Sequence, residues 1–290
     1  MSTATTAPIL EVRDLERTFG SVVAARDISL GIPAHQTVGI IGSNGAGKTT
    51  FVNMITGYLK PSKGQILFEG RDITGLPSRQ IMNLGLSRSF QVPQVFASLT
   101  VFENMCIALG LAEGKPGLFN RAVTPLRTPA ILVRAEEILA QFKISDYRNA
   151  LTGKIPQGIR KLLDIAMATV GHPRLVMLDE PTSGISIEEK FGLMDIIMGA
   201  LKARDMTVLF VEHDMEIVRR YADRVLAFYE GTVIADGAPD TALANDKVKA
   251  YIIGEHHVAS GPAPERPASE ASGPAPERPA SEASGPAAGG

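Results

Sequence analysis

The sequence predicts an α/β domain with a mostly parallel, buried core sheet. Short apolar runs alternate with stretches of helical spacing over most of the chain, and such alternation is typical of βαβ units. About 255 residues have a globular composition, which fits one large domain or one domain with a small lobe.

The clearest elements lie in the first and last thirds of the globular part. Val38–Ile41 is the first predicted core strand, and the predicted helix Thr50–Leu59 follows it closely. Two further apolar strands, Leu175–Leu178 and Val208–Val211, enclose the predicted helix Ile187–Arg204. Strand, helix and strand in this order predict neighbouring parallel strands in one sheet.

The other elements are less regular. Ile131–Phe142 has the spacing of an amphipathic helix. Gly110–Pro129 is rich in Gly, Pro and Arg, and it predicts a loop or an irregular insertion. Val225–Phe228 and Val233–Ala235 predict a late hairpin.

The end of the chain has a different composition. In residues 256–290, the unit ASGPAPERPASE occurs twice and a third copy begins, with no large apolar residue after Val258. Such a segment buries no core. We therefore expect a disordered Pro/Ala/Ser/Glu tail that acts as an inert tether.

Composition excludes several classes of function. The net charge of −2 shows no basic bias, so we expect no nucleic-acid partner. No apolar run approaches the roughly 18 to 20 residues of a membrane span, and no secretion signal is recognisable, so the sequence predicts a cytosolic protein. The single cysteine, Cys106, excludes an internal disulfide.

Gly42–Thr49 reads GSNGAGKT and carries the strongest chemical signal. It matches the phosphate-binding pattern G-x-x-x-x-G-K-[ST] between a predicted strand and a predicted helix. Glycines let backbone N–H groups face phosphate oxygens, and the following helix presents its positive end. Lys48 is expected to reach the β- and γ-phosphates, and the Thr49 hydroxyl to ligate Mg²⁺.

Acidic and basic residues follow two of the other strands. Asp179 and Glu180 come directly after Leu175–Leu178. Asp179 is expected to hold Mg²⁺, directly or through water, and Glu180 to take a proton from the attacking water. His213 follows Val208–Val211, where the alternatives are a γ-phosphate contact and a packing or capping residue; its place at the sheet edge favours the former.

The order of these motifs resembles one known family. Phe19 precedes the glycine-rich loop, Gln91 follows Ser89-Phe90, and Ser183–Ser186 follows the two carboxylates. From residue 9 to about 254 the sequence resembles the nucleotide-binding subunit of an ABC transporter. The resemblance implies a P-loop NTPase domain over residues 1–255. This domain would have a mostly parallel core sheet, an antiparallel β lobe, and a helical lobe at about 92–168.

The resemblance also implies roles for individual residues. Phe19 would stack on adenine, and Gly158 would contact ATP held by an opposite subunit. Glu180 would be the catalytic glutamate and His213 the switch histidine, with Lys48 and Gln91 as further catalytic groups. The implied Mg²⁺ ligands are Thr49, Gln91 and Asp179. The implied phosphate contacts are Gly42, Ser43, Asn44, Gly45, Ala46, Gly47, Lys48, Thr49 and Thr50.

A finer resemblance is to the ATPases of branched-chain amino-acid importers. It is carried by the stretches Thr50–Gly57, Ser87–Gln91, Gly117–Phe119, Val211–Met215 and Tyr251–Gly254. It implies an ATPase, using ATP and Mg²⁺, that powers import of branched-chain amino acids or a related solute such as urea, an amide or an aromatic acid. The implied location is peripheral, at the cytoplasmic face of the inner membrane. The implied partners are permease subunits, a second ABC ATPase and, indirectly, an extracytoplasmic solute-binding protein.

The sequence departs from this family at the signature, which normally reads Leu-Ser-Gly-Gly-Gln. The matching stretch is Ile155–Ile159, with Pro156 in place of the serine and Ile159 in place of the glutamine. Proline supplies neither a hydroxyl nor an N–H group. One hypothesis is an asymmetric pair with a different, second ATPase and one weakened site. The other is that Gly158 and the helix N-terminus suffice.

Other functions are also compatible with a P-loop. A DNA-repair ATPase of this fold needs a very long coiled-coil insertion, and a translation ATPase needs two cassettes in one chain. Neither feature is present in the sequence. An ATP-binding regulatory or scaffold subunit with little hydrolysis fits the altered signature, but not the intact Glu180 and His213. An unrelated P-loop kinase would leave Gln91 and His213 unexplained.

Overall fold

The computed structural model describes residues 7–113 and 128–254, and these form two sheets with helices around them. The stretch Gly117–Phe119 and the tail 256–290 lie outside the described residues. None of the helices in the described ranges is long and apolar enough to cross a membrane.

The core sheet has six strands in the order β10-β9-β3-β8-β7-β6. Its five strands from β9 to β6 run parallel, and β10 pairs antiparallel with β9 at one edge. This confirms the predicted mostly parallel sheet. The strands are β3 (Thr37–Gly42), β6 (Leu86–Arg88), β7 (Leu175–Asp179), β8 (Thr207–Val211), β9 (Arg224–Tyr229) and β10 (Thr232–Gly237).

The second sheet is antiparallel, with strand order β2-β1-β4-β5. It is the antiparallel β lobe that the family resemblance implied. Its two long strands, β1 and β2, pair from Leu10↔Ile32 to Phe19↔Val22, with register shifts on the way. The strands are β1 (Leu10–Phe19), β2 (Val22–Ile32), β4 (Lys63–Phe68) and β5 (Arg71–Asp72).

The helices surround the core sheet or form the segment between β6 and β7. The main helices are α1 (Lys48–Ile55), α2 (Ser78–Asn83), α3 (Val101–Glu113), α4 (Pro129–Gln141), α5 (Gln157–Ala168), α6 (Ile187–Lys202), α7 (Met215–Tyr221), α8 (Pro239–Ala244) and α9 (Asp246–Val248). Short 3-10 turns cover Ser145–Tyr147 and Thr152–Lys154, and a π-helical turn covers Lys249–Ile253.

Both faces of the core sheet are buried, and they face different hydrophobic clusters. In β7, Val176 and Leu178 pack into the cluster that contains α3 to α6, whereas Leu175 and Met177 pack into the cluster that contains α1 and the antiparallel sheet. Side chains of a strand alternate between faces. The continuous apolar runs in the sequence therefore reflect a sheet covered on both sides.

Two predicted segments have the wrong boundaries. The expected loop Gly110–Pro129 is helical at both ends, since α3 continues to Glu113 and α4 begins at Pro129. Proline suits the first turn of a helix, and the Thr128 hydroxyl accepts a hydrogen bond from the Ile131 N–H at 3.2 Å.

The expected helix Thr50–Leu59 instead spans Lys48–Ile55. It stops early because Gly57 adopts φ +75°, where an added Cβ would lie 2.5 Å from the Leu76 carbonyl oxygen. At its other end, helix α1 begins at Lys48, within the glycine-rich loop.

Candidate nucleotide site

The glycine-rich loop joins β3 to α1 in a backbone path that excludes side chains at two points. Gly47 has φ +98°, and a Cβ there would lie 2.6 Å from the Ala24 carbonyl oxygen in β2. A Cβ at Gly42 would lie 2.4 Å from the Phe228 carbonyl oxygen in β9. Both contacts are with backbone, so they leave room for glycine alone. The loop is thereby fixed against both sheets.

Lys48 is the first residue of α1 and is buried with 6% exposure. Its ammonium donates to the carbonyl oxygens of Gly42 at 2.6 Å and Ser43 at 2.9 Å. Burial lowers the pKa of Lys48, and the nearby charges of Glu180 and Asp179 oppose that shift. An anionic ligand in the loop would therefore find a desolvated cation at the head of a helix.

The two carboxylates lie at the carboxyl edge of the core sheet. Asp179 ends β7 and is in register with Val211 of β8. Glu180 follows with φ +48°, and its N–H donates to the Val211 carbonyl oxygen at 3.1 Å. This backbone bend turns Glu180 away from the strand direction while the hydrogen bond keeps it at the sheet edge.

Glu180 joins two other predicted site residues. Its Oε2 accepts a hydrogen bond from Gln91 Nε2 at 2.6 Å, and its Oε1 lies 3.0 Å from His213 Nε2. Gln91 comes from the segment after β6, and His213 from the segment after β8. The structure thus brings together three side chains that lie far apart in the sequence.

Two buried ionisable residues that the sequence analysis missed fix the backbone of Glu180 and of the loop that follows it. Lys161 of α5, 3% exposed, donates to the main-chain oxygen of Glu180 at 2.7 Å. Glu212, 4% exposed, accepts from the Thr182 N–H and hydroxyl at 2.9 and 2.7 Å. Burial lowers the pKa of Lys161 and raises that of Glu212. The bent Glu180 backbone and the loop after it are therefore both tied down.

Asp179 has a partner that the sequence analysis also missed. Arg88, at the end of β6, donates from Nη2 to Asp179 Oδ2 at 2.6 Å. Its Nη1 donates to Asn53 Oδ1 of α1 at 2.7 Å. The sequence signal that could have indicated this pair was a basic residue three positions before Gln91, at the end of a strand that lies next to β7.

Phe19 lies at the end of β1 with 46% of its surface exposed. The guanidinium of Arg17 covers one face of its ring, 4.5 Å from the ring centroid. Val22 of β2 is also exposed, at 64%. Exposed apolar groups paired across β1 and β2 suit a flat base, and the assignment of Phe19 to adenine stays a prediction.

Gly158 lies in the first turn of α5, because this helix begins at Gln157. A Cβ at Gly158 would meet Ile185 and Leu193, both at 3.8 Å. Pro156 occupies the N-cap position without a side-chain cap hydrogen bond. The structure therefore groups Gly158 with Ile185, in the loop after β7, and with Leu193 of α6, and its contact with ATP stays a prediction.

The donors around Asp179 fit a hard divalent cation such as Mg²⁺, which prefers oxygen ligands. Gln91 uses its amide nitrogen on Glu180, which leaves the amide oxygen for a metal. Asp179 uses Oδ2 on Arg88, which leaves Oδ1. Within the described residues, no group of three or more His, Cys, Asp or Glu side chains forms an all-protein metal site. The two oxygens that remain, Asp179 Oδ1 and the Gln91 amide oxygen, would suit a metal that takes further ligands from a nucleotide.

Comparison with protein families agrees with this geometry. The profile of the ABC transporter family matches residues 25–183. This range includes the glycine-rich loop, Gln91, Gly158 and both carboxylates.

Two curated relatives match over nearly their whole length. The high-affinity branched-chain amino acid transport ATP-binding protein LivG of Salmonella typhimurium is 35% identical over 253 residues, covering 84% of this chain and 98% of LivG. The corresponding protein BraF of Pseudomonas aeruginosa is 33% identical over 249 residues, covering 84% and 98%.

A solved structure with a similar fold is the ADP conformation of MJ1267, described as an ATP-binding cassette of an ABC transporter. It has a TM-score of 0.75 and 31% sequence identity, and the match covers 86% of this chain and 100% of MJ1267.

Proposed function

This chain belongs to the ABC transporter family, and we propose that it powers an importer of branched-chain amino acids or of a related small solute. Within the family it is the ATP-binding and ATP-hydrolysing subunit. The solute is inferred from LivG and BraF. Urea, amides and aromatic acids remain in the proposed class because the solute would contact other subunits.

The observation that carries this proposal is the convergence of three strand ends beside one P-loop. Lys48 heads α1 after β3, Asp179 ends β7, and Glu180 and His213 lie just beyond the ends of β7 and β8. We assign the terminal phosphates to Lys48 and the loop N–H groups, and the adenine to Phe19. A bound Mg²⁺, held by Thr49, Asp179 and Gln91, would neutralise charge on the phosphates.

Glu180 is the proposed general base. Its carboxylate is oriented by Gln91 and His213 at 2.6 and 3.0 Å. In this role it accepts a proton from the attacking water, while Lys48 and His213 stabilise negative charge on the γ-phosphoryl group. The hydrogen bond from Lys161 to the Glu180 main-chain oxygen keeps the carboxylate in place.

The permease subunits are proposed to dock on a groove near Gln91. The groove has a volume of about 210 Å³, and its lining includes Tyr58, Met82 and Phe90. Tyr58 and Met82 are 54% and 56% exposed, and Val92 beside the groove is 69% exposed. Exposed apolar side chains around a concavity are typical of a protein interface. Docking there would place this chain at the cytoplasmic face of the membrane.

A second ABC ATPase is the other proposed partner. The family resemblance assigns Gly158 to the ATP held by an opposing subunit, and the position of Gly158 in the first turn of α5 is compatible with that role. The altered signature favours a different chain as that subunit. An extracytoplasmic solute-binding protein would deliver the solute to the permeases.

The alternative of a regulatory or scaffold subunit with little hydrolysis is not favoured. Such a subunit has no need of an ordered general base, yet Glu180 is held through both carboxylate oxygens and its main-chain oxygen.

Turnover of the assembled transporter tests the proposal. Glu180→Gln should keep Mg-ATP binding but lower ATP turnover by about 10²-fold or more, because the base is lost. Glu137→Gln, an exposed change on α4, is the control and should match the wild type. Equal turnover in the Glu180→Gln and wild-type proteins would contradict the assignment.

In cells, Lys48→Ala should abolish uptake of labelled leucine if the solute assignment holds.

A further inference from the structure

Arg88 connects the candidate metal site to helix α1. Its side chain is only 8% exposed, and Asp179, to which it is paired, is 15% exposed. The planar guanidinium uses Nη2 for Asp179 and Nη1 for Asn53, at 2.6 and 2.7 Å. Arg88 therefore fixes one oxygen of Asp179 relative to the helix that begins at Lys48.

The other surroundings of Arg88 are aromatic. Its guanidinium lies 5.6 Å from the ring centroid of Tyr58 and 5.2 Å from that of Phe90. The two rings contact each other edge to face, with centroids 5.7 Å apart and an interplanar angle of 87°. Both rings and Arg88 line the groove of about 210 Å³. One buried side chain thus contacts both the groove lining and Asp179.

We propose that Arg88 is a positioning residue that orients Asp179 for Mg²⁺ and transmits occupation of the groove to the metal site. This inference rests on the proposed function, since it assigns Asp179 to Mg²⁺ and the groove to a protein partner. Because Oδ2 of Asp179 is held by Arg88, Oδ1 is the carboxylate oxygen that would remain for the metal. Partners that orient a metal-ligating carboxylate tune its affinity for the metal.

The hydrogen bonding of Arg88 explains how the groove would act on it. Its Nε is buried without a hydrogen-bond partner, so the guanidinium is held by Asp179, Asn53, the two rings and a long hydrogen bond of 3.5 Å to the Thr56 hydroxyl. Tyr58 is 54% exposed, and a partner packed on it would restrict this ring and its contact with Phe90. The guanidinium between the rings and Asp179 would then be restricted as well.

The first experiment uses the full chain and measures binding of ADP by calorimetry at increasing Mg²⁺, and again without Mg²⁺. The midpoint is the Mg²⁺ concentration at which half of the Mg²⁺-dependent gain in ADP affinity is reached. Arg88→Met should raise this midpoint about 10-fold, which is the lower end of the loss in metal affinity expected when such a partner is removed. Binding of Mg²⁺-free ADP should not change. Arg88→Lys should show an intermediate shift, because an ammonium lacks the planar fork that serves two acceptors. This variant also replaces the Met variant if the latter fails to fold.

Arg79→Met is the matched control, since Arg79 is an exposed arginine that lines the same groove. It removes the same charge and should leave the Mg²⁺ dependence unchanged. A shift in the control equal to that of Arg88→Met would overturn the inference in favour of a general charge effect. An unchanged Mg²⁺ dependence in Arg88→Met, or equal loss of Mg²⁺-free binding, would overturn it too.

The second experiment tests transmission from the groove. Assembly of the wild-type chain with its permeases should lower the Mg²⁺ midpoint for ADP binding. The Arg88→Met variant should still co-purify with the permeases, but its Mg²⁺ midpoint should not change on assembly. If both proteins respond equally to assembly, Arg88 does not transmit. If the wild-type chain binds nucleotide with no Mg²⁺ dependence, the proposed function itself fails, whatever Arg88 does.

Discussion

At the scale of single residues, Glu212 shows how a buried carboxylate can serve a neighbouring loop. Its Oε1 holds Thr182, two residues after Glu180, and its Oε2 accepts from the His213 N–H at 3.2 Å. Burial raises the pKa of Glu212 above the ordinary 4.5, and the hydrogen bonds from Thr182 and His213, together with the Lys161 ammonium, oppose the shift. The folded protein therefore binds this proton more tightly than the unfolded chain does.

A raised pKa in the folded state makes stability fall as pH rises through it. Glu212→Gln cannot ionise, and all other groups titrate in both proteins. The free energy of unfolding of the variant, relative to the wild type, should therefore increase from about pH 4.5 towards neutral pH. Urea unfolding at several pH values measures this difference. A difference that does not vary with pH would show that Glu212 has the same pKa in both states.

At the scale of elements, helix α5 ties together two segments of the site. Asp164 accepts from the main-chain N–H groups of Gln94 at 2.8 Å and Phe90 at 3.3 Å. From the same helix, Lys161 reaches the main-chain oxygen of Glu180 at 2.7 Å. The segment that carries Gln91 and the loop that carries Glu180 are thus both attached to α5.

Removing Asp164 should loosen this attachment. Asp164→Ala removes the acceptor of two part-buried hydrogen bonds, each worth about 0.5–1.5 kcal/mol, so we expect a loss of about 1–3 kcal/mol in the free energy of unfolding. Asp164→Asn should lose less, since its amide oxygen still accepts one hydrogen bond.

Urea unfolding checks both Asp164 variants, with Glu137→Ala on the exposed face of α4 as control. If Asp164→Ala unfolds like this control, Asp164 contributes nothing to the attachment.

At the scale of the whole molecule, the altered signature decides whether two ATP sites are equal. In the proposed pair, Glu180 serves the site at this chain's P-loop, while Pro156 and Ile159 belong to the site at the partner's P-loop. Pro156 caps α5 without a side-chain hydrogen bond. The missing serine would remove a donor from the second site, and such a loss costs about 10²–10³ in rate.

Restoring the signature tests this asymmetry in the assembled transporter. Pro156→Ser with Ile159→Gln should raise ATP turnover about two-fold, because a second site then contributes beside the first. With a different chain as partner, the added turnover should persist when Glu180→Gln is also present, since the partner's own base serves that site. Unchanged turnover would instead favour the view that Gly158 and the helix N-terminus suffice.

The sequence was most informative where function depends on neighbouring residues. Gly42–Thr49 predicted a phosphate loop because a strand, the glycines and a lysine follow each other directly. Asp179 and Glu180 predicted a site edge because both follow a buried strand. The boundary errors at Gly110–Pro129 arose because Gly and Pro were interpreted as loop residues, whereas Pro129 begins a helix.

By itself, the sequence determined the fold class and the residues expected to bind a nucleotide, since these depend on local spacing and strand periodicity. Only the tertiary structure showed that Arg88 pairs with Asp179, that Lys161 holds the Glu180 backbone, and that Glu212 holds Thr182. These pairs join residues far apart in the chain. Their partners are chosen by strand order and by the cost of burying an unpaired charge, and neither is visible in local spacing.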